Sequence, residues 1–303
     1  MSFFDSLFPA VTDDSYNVSG LSRELTCINI YDTFINGNKG VLVVASSTYE
    51  ANLLYQGLLN YTDKVLFFPM DDFLTSEAIA ISPEFKVERI NTLNALVSDS
   101  KYIVVTNLMG ALRYLPKKKT WENSFITLKK GIEVDREKLL EDIYNLGYEK
   151  ETIVNGTGKV GVRGYVIDIF PTSMENAVRI EFWGDTIDSI KSFDVENQLT
   201  IDEIDEVIIY PFTEFILDKY EEDMIRKQKY LLYYGKDISI ISDYIDNGII
   251  CYYDYNTLIN SYSLLFDSIS EYDSTALNEL ETHYMHDLDK IRGSKYIYRR
   301  LFR

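Results

Sequence analysis

The sequence predicts an α/β protein. A parallel, doubly wound layer is built from two chain segments, and an α+β domain with a small antiparallel sheet is inserted between them. Three observations lead there. Short apolar runs alternate with helical stretches up to residue 120, as in 42–45 (LVVA) and 102–106 (YIVVT). After Trp121 the pattern changes to clustered strands separated by turn residues. Near 249–253 (IICYY) the strand-then-helix rhythm returns. The expected boundaries are 1–120, 121–212 and 213–303.

In the first segment, 42–45 is a buried-type strand, followed by a helix over 50–59 with Ser47 or Thr48 as its cap. Residues 64–68 form the next strand and 87–96 a helix. Strand 102–106 and a short helix over 108–114 follow. Lys117, Lys118 and Lys119 read as a solvated linker. In the insert, 125–128 is a strand and 135–146 a helix capped by Asp135 and stopped by Gly147. Residues 160–170 are rich in β-branched and aromatic side chains and read as one strand. Pro171, Ser173 and Asn176 mark a turn. Strand 177–183, turn Gly184-Asp185, strand 187–193 and strand 207–210 complete the insert. Beyond it, 216–234 is expected to be partly helical, 238–244 a helix and 249–253 a strand. The basic tail, 294–303, reads as irregular.

Composition removes several functions. The chain has 303 residues and a formal net charge of −18. A surface this acidic repels phosphate backbones, so general nucleic-acid binding is disfavoured. No apolar run approaches the ~20 residues of a membrane helix. The first residues carry no basic segment ahead of their apolar ones, which argues against a signal peptide. Cys27 and Cys251 are far apart and offer neither a disulfide framework nor a metal cluster; buried cytoplasmic thiols are expected. His283 and His286, without an evident third ligand, read as surface residues rather than metal ligands. No cofactor is expected.

Two stretches carry the candidate chemistry. Strand 177–183 alternates Val178, Ile180 and Phe182 with Arg179, Glu181 and Trp183. A tryptophan beside an arginine on the wet face has the composition of a protein-binding hot spot. The competing structural expectation is that Trp183 packs under a neighbouring loop and Arg179 pairs with Glu181 or another carboxylate. The second stretch is Ser19-Gly20-Leu21-Ser22-Arg23-Glu24, ahead of a helix. A phosphate-binding loop needs several glycines and a lysine. Here there is one glycine, no lysine, and Glu24 where phosphate would sit. Its acidic counterpart would be an Asp-Glu after a strand, but 249–253 is followed by Asp254-Tyr255. Together Ser19, Gly20, Ser22, Arg23 and Asp254 look like the relics of a nucleotide site.

GKVGVRGYVIDIFP followed by AVRIEFWGDTIDSIKSFD resembles the module shared by the nucleotide-excision repair protein UvrB and the bacterial transcription-repair coupling factors. The stretches VLFFPMDDFLTSEAIAISPEFKVERINTL and YIVVTNLMGALRYLP are similar to the coupling factors' first domain. The resemblance implies a degenerate P-loop-NTPase-like domain flanking a module that engages the ATPase UvrA. UvrB carries an intact ATP loop and a long DNA-clamping hairpin; 79–88 is too short for that hairpin. The coupling-factor branch therefore fits better. It implies non-catalytic recruitment of UvrA to stalled RNA polymerase through Arg163, Arg179 and Trp183. The family often has Phe at the last of these places. Polymerase, DNA and the translocase motor would belong to parts of a longer parent, in the cytoplasm. Two alternatives remain: a module masked by the parent's C-terminal domain, or an ATP-dependent DNA-opening enzyme of the UvrB type. The strand register, and with it the face Arg163 occupies, is left open by the sequence.

Overall fold

The computed structural model describes residues 15–71, 82–216, 237–275, 285–291 and 293–299. The chain divides into two compact units, residues 1–118 with 224–303, and residues 119–223.

The first unit is organised on a six-stranded parallel sheet. Its strands are β1 (Ser15–Ser19), β2 (Val41–Ala45), β3 (Val65–Phe68), β4 (Ile103–Asn107), β15 (Ile249–Tyr252) and β16 (Ser294–Arg299), in the order β1-β16-β15-β2-β4-β3. Every residue of β2 and β4 is buried, because a parallel strand is covered on both faces. Helix α1 (Arg23–Gly37) starts at Ser22, whose side chain accepts from the Leu25 amide, and ends at Asn38 in the left-handed region. Helix α2 (Thr48–Leu59) is capped in the same way by Ser47. Cys27, Ile30 and Phe34 from α1 join Ala51, Leu54 and Leu58 from α2 in one core with Val41, Val43 and Cys251. Helix α3 (Pro83–Ser98) runs beside β3 and opens with Pro at its first position, where no amide partner is lost. Its buried Arg89 donates to the Pro69 carbonyl, and Thr92 donates to the Phe67 carbonyl. The short α4 (Leu108–Ala111) is capped by Asn107, which accepts from the Gly110 amide.

Several expectations for this unit are corrected. The tail is not irregular: Ser294–Arg299 is β16, an inner strand paired in parallel with both β1 and β15. Its Tyr298 is buried and donates to Asn29 Oδ1 of α1 at 2.6 Å. The lysine run is structured too. Lys117 and Lys118 reach Asp237 and Asp246, at 3.2 and 3.0 Å, and α5 (Lys118–Asn123) begins there. The helix expected over 238–244 is a two-residue strand β14 (Ile238–Ser239), paired with β5 (Leu115–Pro116), then a 3-10 turn at Ile241–Ile245. His286 is half-buried rather than fully on the surface. Its ring nitrogen donates to the Ser239 carbonyl at 3.0 Å, and its ring packs edge-on against Tyr114. His283, nearly all of 216–234, and the start of 79–88 lie outside the described residues.

The second unit contains a six-stranded sheet in the order β12-β11-β10-β9-β8-β7. These are β7 (Glu149–Lys150), β8 (Lys159–Arg163), β9 (Val166–Ile169), β10 (Ala177–Trp183), β11 (Thr186–Phe193) and β12 (Thr200–Glu203). All pairs are antiparallel except β7 with β8. The stretch expected to be one strand over 160–170 is a hairpin, turning at Gly164-Tyr165. A glycine with φ +57° at the first turn position allows that reversal. Helix α6 (Arg136–Asn145) is capped by Asp135, which accepts from the Glu137 and Lys138 amides, and buries Leu139 and Ile143. A small pair, β6 (Ile126–Lys129) with β13 (Glu206–Ile209), completes the unit. The protein is thus mixed α/β, with one parallel sheet and separate antiparallel sheets. No described helix is long and apolar enough to cross a membrane.

Candidate functional site

Strand β10 lies between β9 and β11, and its burial follows its alternation. Val178, Ile180 and Phe182 are buried; Arg179 and Glu181 are half-buried; Trp183 is exposed. The register places Asp168 opposite Arg179 on one side and Lys191 opposite it on the other. Gly161 pairs with Asp168 and Arg163 with Val166, while Val166 pairs with Glu181. Partners directly across a ladder share a face. Arg163, Asp168, Arg179, Glu181 and Trp183 therefore all stand on the sheet face opposite Val178 and Ile180. The face left open by the sequence is settled: Arg163 is on the side of Arg179 and Trp183.

Asp168 joins the two arginines. Its side chain is only 4% exposed. Arg179 grips it with two bonds, Nε to Oδ1 at 2.7 Å and Nη2 to Oδ2 at 3.0 Å. Arg163 adds a third, Nη2 to Oδ2 at 2.6 Å. Arg179 also donates to Gln198 Oε1 at 3.2 Å and lies over the buried Phe193 ring. The Asp168 hydrogen bond holds the Arg179 guanidinium above its ordinary pKa. Beside it, Glu181 accepts from Lys191 Nζ at 2.7 Å and from Ser189 Oγ at 2.6 Å. The Lys191 bond, then the Ser189 bond, pull the Glu181 carboxyl below the usual range.

The three candidate residues are therefore not equivalent. The Arg179 side chain is 18% exposed and its fork is engaged with Asp168. The Arg163 side chain is 51% exposed and holds Asp168 through one nitrogen, leaving its other donors toward water. Trp183 is 83% exposed, so it is not packed under a loop. Sequence reasoning missed Asp168. It lies inside the otherwise apolar run VIDIF, and that lone carboxylate was the available signal; its place opposite Arg179 comes only from the register.

The candidate nucleotide residues also have defined places. β1 ends at Ser19, and Gly20 follows with φ +82°. The Ser22 hydroxyl is used as the α1 cap. Arg23 contacts the neighbouring Glu24 at 3.3 Å, on the surface. Hydrogen bonds from its own amide and from Ser22 keep the Glu24 carboxyl below its ordinary pKa, so it is charged at neutral pH. Asp254, past the end of β15, accepts from Thr257 Oγ1 at 3.0 Å. β1 and β15 are separated by β16 alone, so both loops leave the same end of the parallel sheet. Among the described residues, no group of three or more His, Cys, Asp or Glu could hold a metal.

Comparison with known proteins agrees with the resemblance. Residues 126–215 match the model of the UvrB interaction domain. The chain is 34% identical over 214 residues to the transcription-repair-coupling factor of Staphylococcus aureus (strain bovine RF122 / ET3-1), covering 70% of this chain and 18% of that relative. It is 33% identical over 202 residues to the one from Staphylococcus haemolyticus (strain JCSC1435), covering 66% and 17%. The chain thus spans less than a fifth of the length of the curated relatives it matches. Its residues 126–215 thus belong with the UvrB interaction domain family, and over 70% of its length the chain is 34% identical to the N-terminal region of a transcription-repair-coupling factor.

Proposed function

We propose that this chain is a docking platform that brings UvrA to a longer parent protein acting in transcription-coupled repair. The observation that carries this is the exposed face of the β8–β11 sheet inside the UvrB interaction domain. Trp183 stands 83% exposed there, on the same face as a half-exposed Arg163. An aromatic and an arginine left in water are what an interface centre uses. Trp183 supplies buried apolar area to the complex, and the free donors of Arg163 pair with a UvrA carboxylate. Arg179 contributes from beneath: its bidentate grip on Asp168 holds that carboxylate under Arg163 and fixes the Arg163 stem.

The first unit acts as a scaffold, a P-loop-type layer that has lost its nucleotide site. The loop after β1 has no lysine, its one serine near the helix start is used as a cap, and the charged Glu24 repels phosphate. On this account the chain hydrolyses no ATP; a translocase motor, polymerase contacts and a cytoplasmic address belong to the parent.

Hydrogen–deuterium exchange with and without UvrA from the same organism tests the site. Protection on β8 to β11, with 15–71 unchanged, is expected. Protection confined to the loops after β1 and β15, or tight ATP binding by the chain, would favour the UvrB-type enzyme instead.

A further inference from the structure

Tyr165 is the second large aromatic left in water at the same end of this sheet, 66% exposed. It forms the β8–β9 turn with Gly164. Its carbonyl accepts from the Phe182 amide at 2.9 Å, which puts its backbone beside the Phe182-Trp183 end of β10. Tyr165 is thus one strand spacing, about 5 Å, from β10, level with Phe182 and one residue short of Trp183, while Arg163 lies two spacings, about 10 Å, from β10 at the level of Glu181. The Arg136 guanidinium, from the first turn of α6, sits 5.3 Å from the centre of the Tyr165 ring. Such a contact restrains a side chain that would otherwise rotate freely, and lowers the entropy lost when a partner covers it.

We infer that Tyr165 is a second aromatic anchor of the docking surface, and that Arg136 positions it. The surface then extends from the outer sheet face, across the turn, to the start of α6. Two aromatics flanked by two arginines fit a protein surface that offers apolar knobs ringed by carboxylates. Charge supports that partner: on a chain of net charge −18, Arg136 and Arg163 are local positive points where an acidic protein approaches without general repulsion. The specific neighbours also separate Tyr165 from the other exposed apolar residues of this unit. Leu199 and Ile201, for example, sit at the opposite edge of the sheet, in and beside β12.

This inference rests on the proposed docking function, and the test separates the two. UvrA is titrated into the full chain and its Tyr165→Ala, Tyr165→Phe, Arg136→Ala and Trp183→Ala variants, with the melting temperature of each recorded. Tyr165→Ala is expected to weaken binding ten-fold or more at an unchanged melting temperature. Tyr165→Phe, which keeps the ring, should bind within two-fold of the original chain. Arg136→Ala should fall between, because Tyr165 remains but is less restrained. Trp183→Ala weakening binding while Tyr165→Ala does not would overturn the inference and leave the docking function standing. Neither variant weakening binding would overturn both.

Discussion

At the residue scale, the two arginines on one sheet face are held differently, and truncation should separate them. Arg179 is mostly buried and shares a bidentate bond with Asp168. Removing it leaves that carboxylate in a dry place with Arg163 alone. Arg179→Ala should cost the module about 2–3 kcal/mol, the range for losing hydrogen bonds to a charged group, seen as a lower urea midpoint. Arg163→Ala removes a half-exposed partner, so the stability loss should stay below about 1 kcal/mol. Its UvrA affinity should fall, with a weaker dependence on salt than the original chain shows. Equal melting behaviour of the two arginine variants would contradict this division. The thiols are the inert residues. Burial pushes Cys27 up to about 11 and Cys251 up to about 12, and both are shielded. Neither should react with a thiol reagent until the chain is denatured.

At the element scale, the alternation of β10 was plain from its letters, because the period of a strand with one wet face is written in its polarity. Helix caps were plain for the same local reason: Ser47 and Asp135 bond to amides two or three residues on. What local patterning could not show was pairing between distant segments. β16 looked like a frayed basic tail because its flanks are charged, yet KYIY sits between β1 and β15. The β8–β9 turn was hidden by a stretch rich in β-branched and aromatic residues, although Gly164 followed by one residue is a recognisable hairpin turn. Gly158 offers a check on this unit. It has φ +80°, and any Cβ there would overlap the Phe212 ring. Gly158→Ala should destabilise by about 1–3 kcal/mol, measured by urea unfolding. His286 gives the first unit a pH dependence. Burial lowers its pKa, so the folded state favours the neutral ring. The stability tied to it is present above the unfolded value of about 6.5 and is lost as pH falls through the lower, folded value. The melting temperature should drop across that acid window, and less so in His286→Gln; an identical drop in both would count against the assignment.

At the scale of the whole molecule, a six-stranded parallel sheet is joined to a module whose exposed residues suit contact. The class of fold was legible because parallel layers announce themselves by buried strands alternating with helices. The proposed docking face was legible only in part. Arg179 and Trp183 were visible on one strand, but the carboxylate linking Arg179 to Arg163 comes from register. The central claim is that this face binds UvrA and that Trp183 is its apolar anchor. Calorimetric titration of UvrA into the chain and into Trp183→Ala tests it most directly. The account predicts binding to the original chain and a loss of about 2–4 kcal/mol in the variant, with its fold intact. Equal affinity in the two proteins would contradict it.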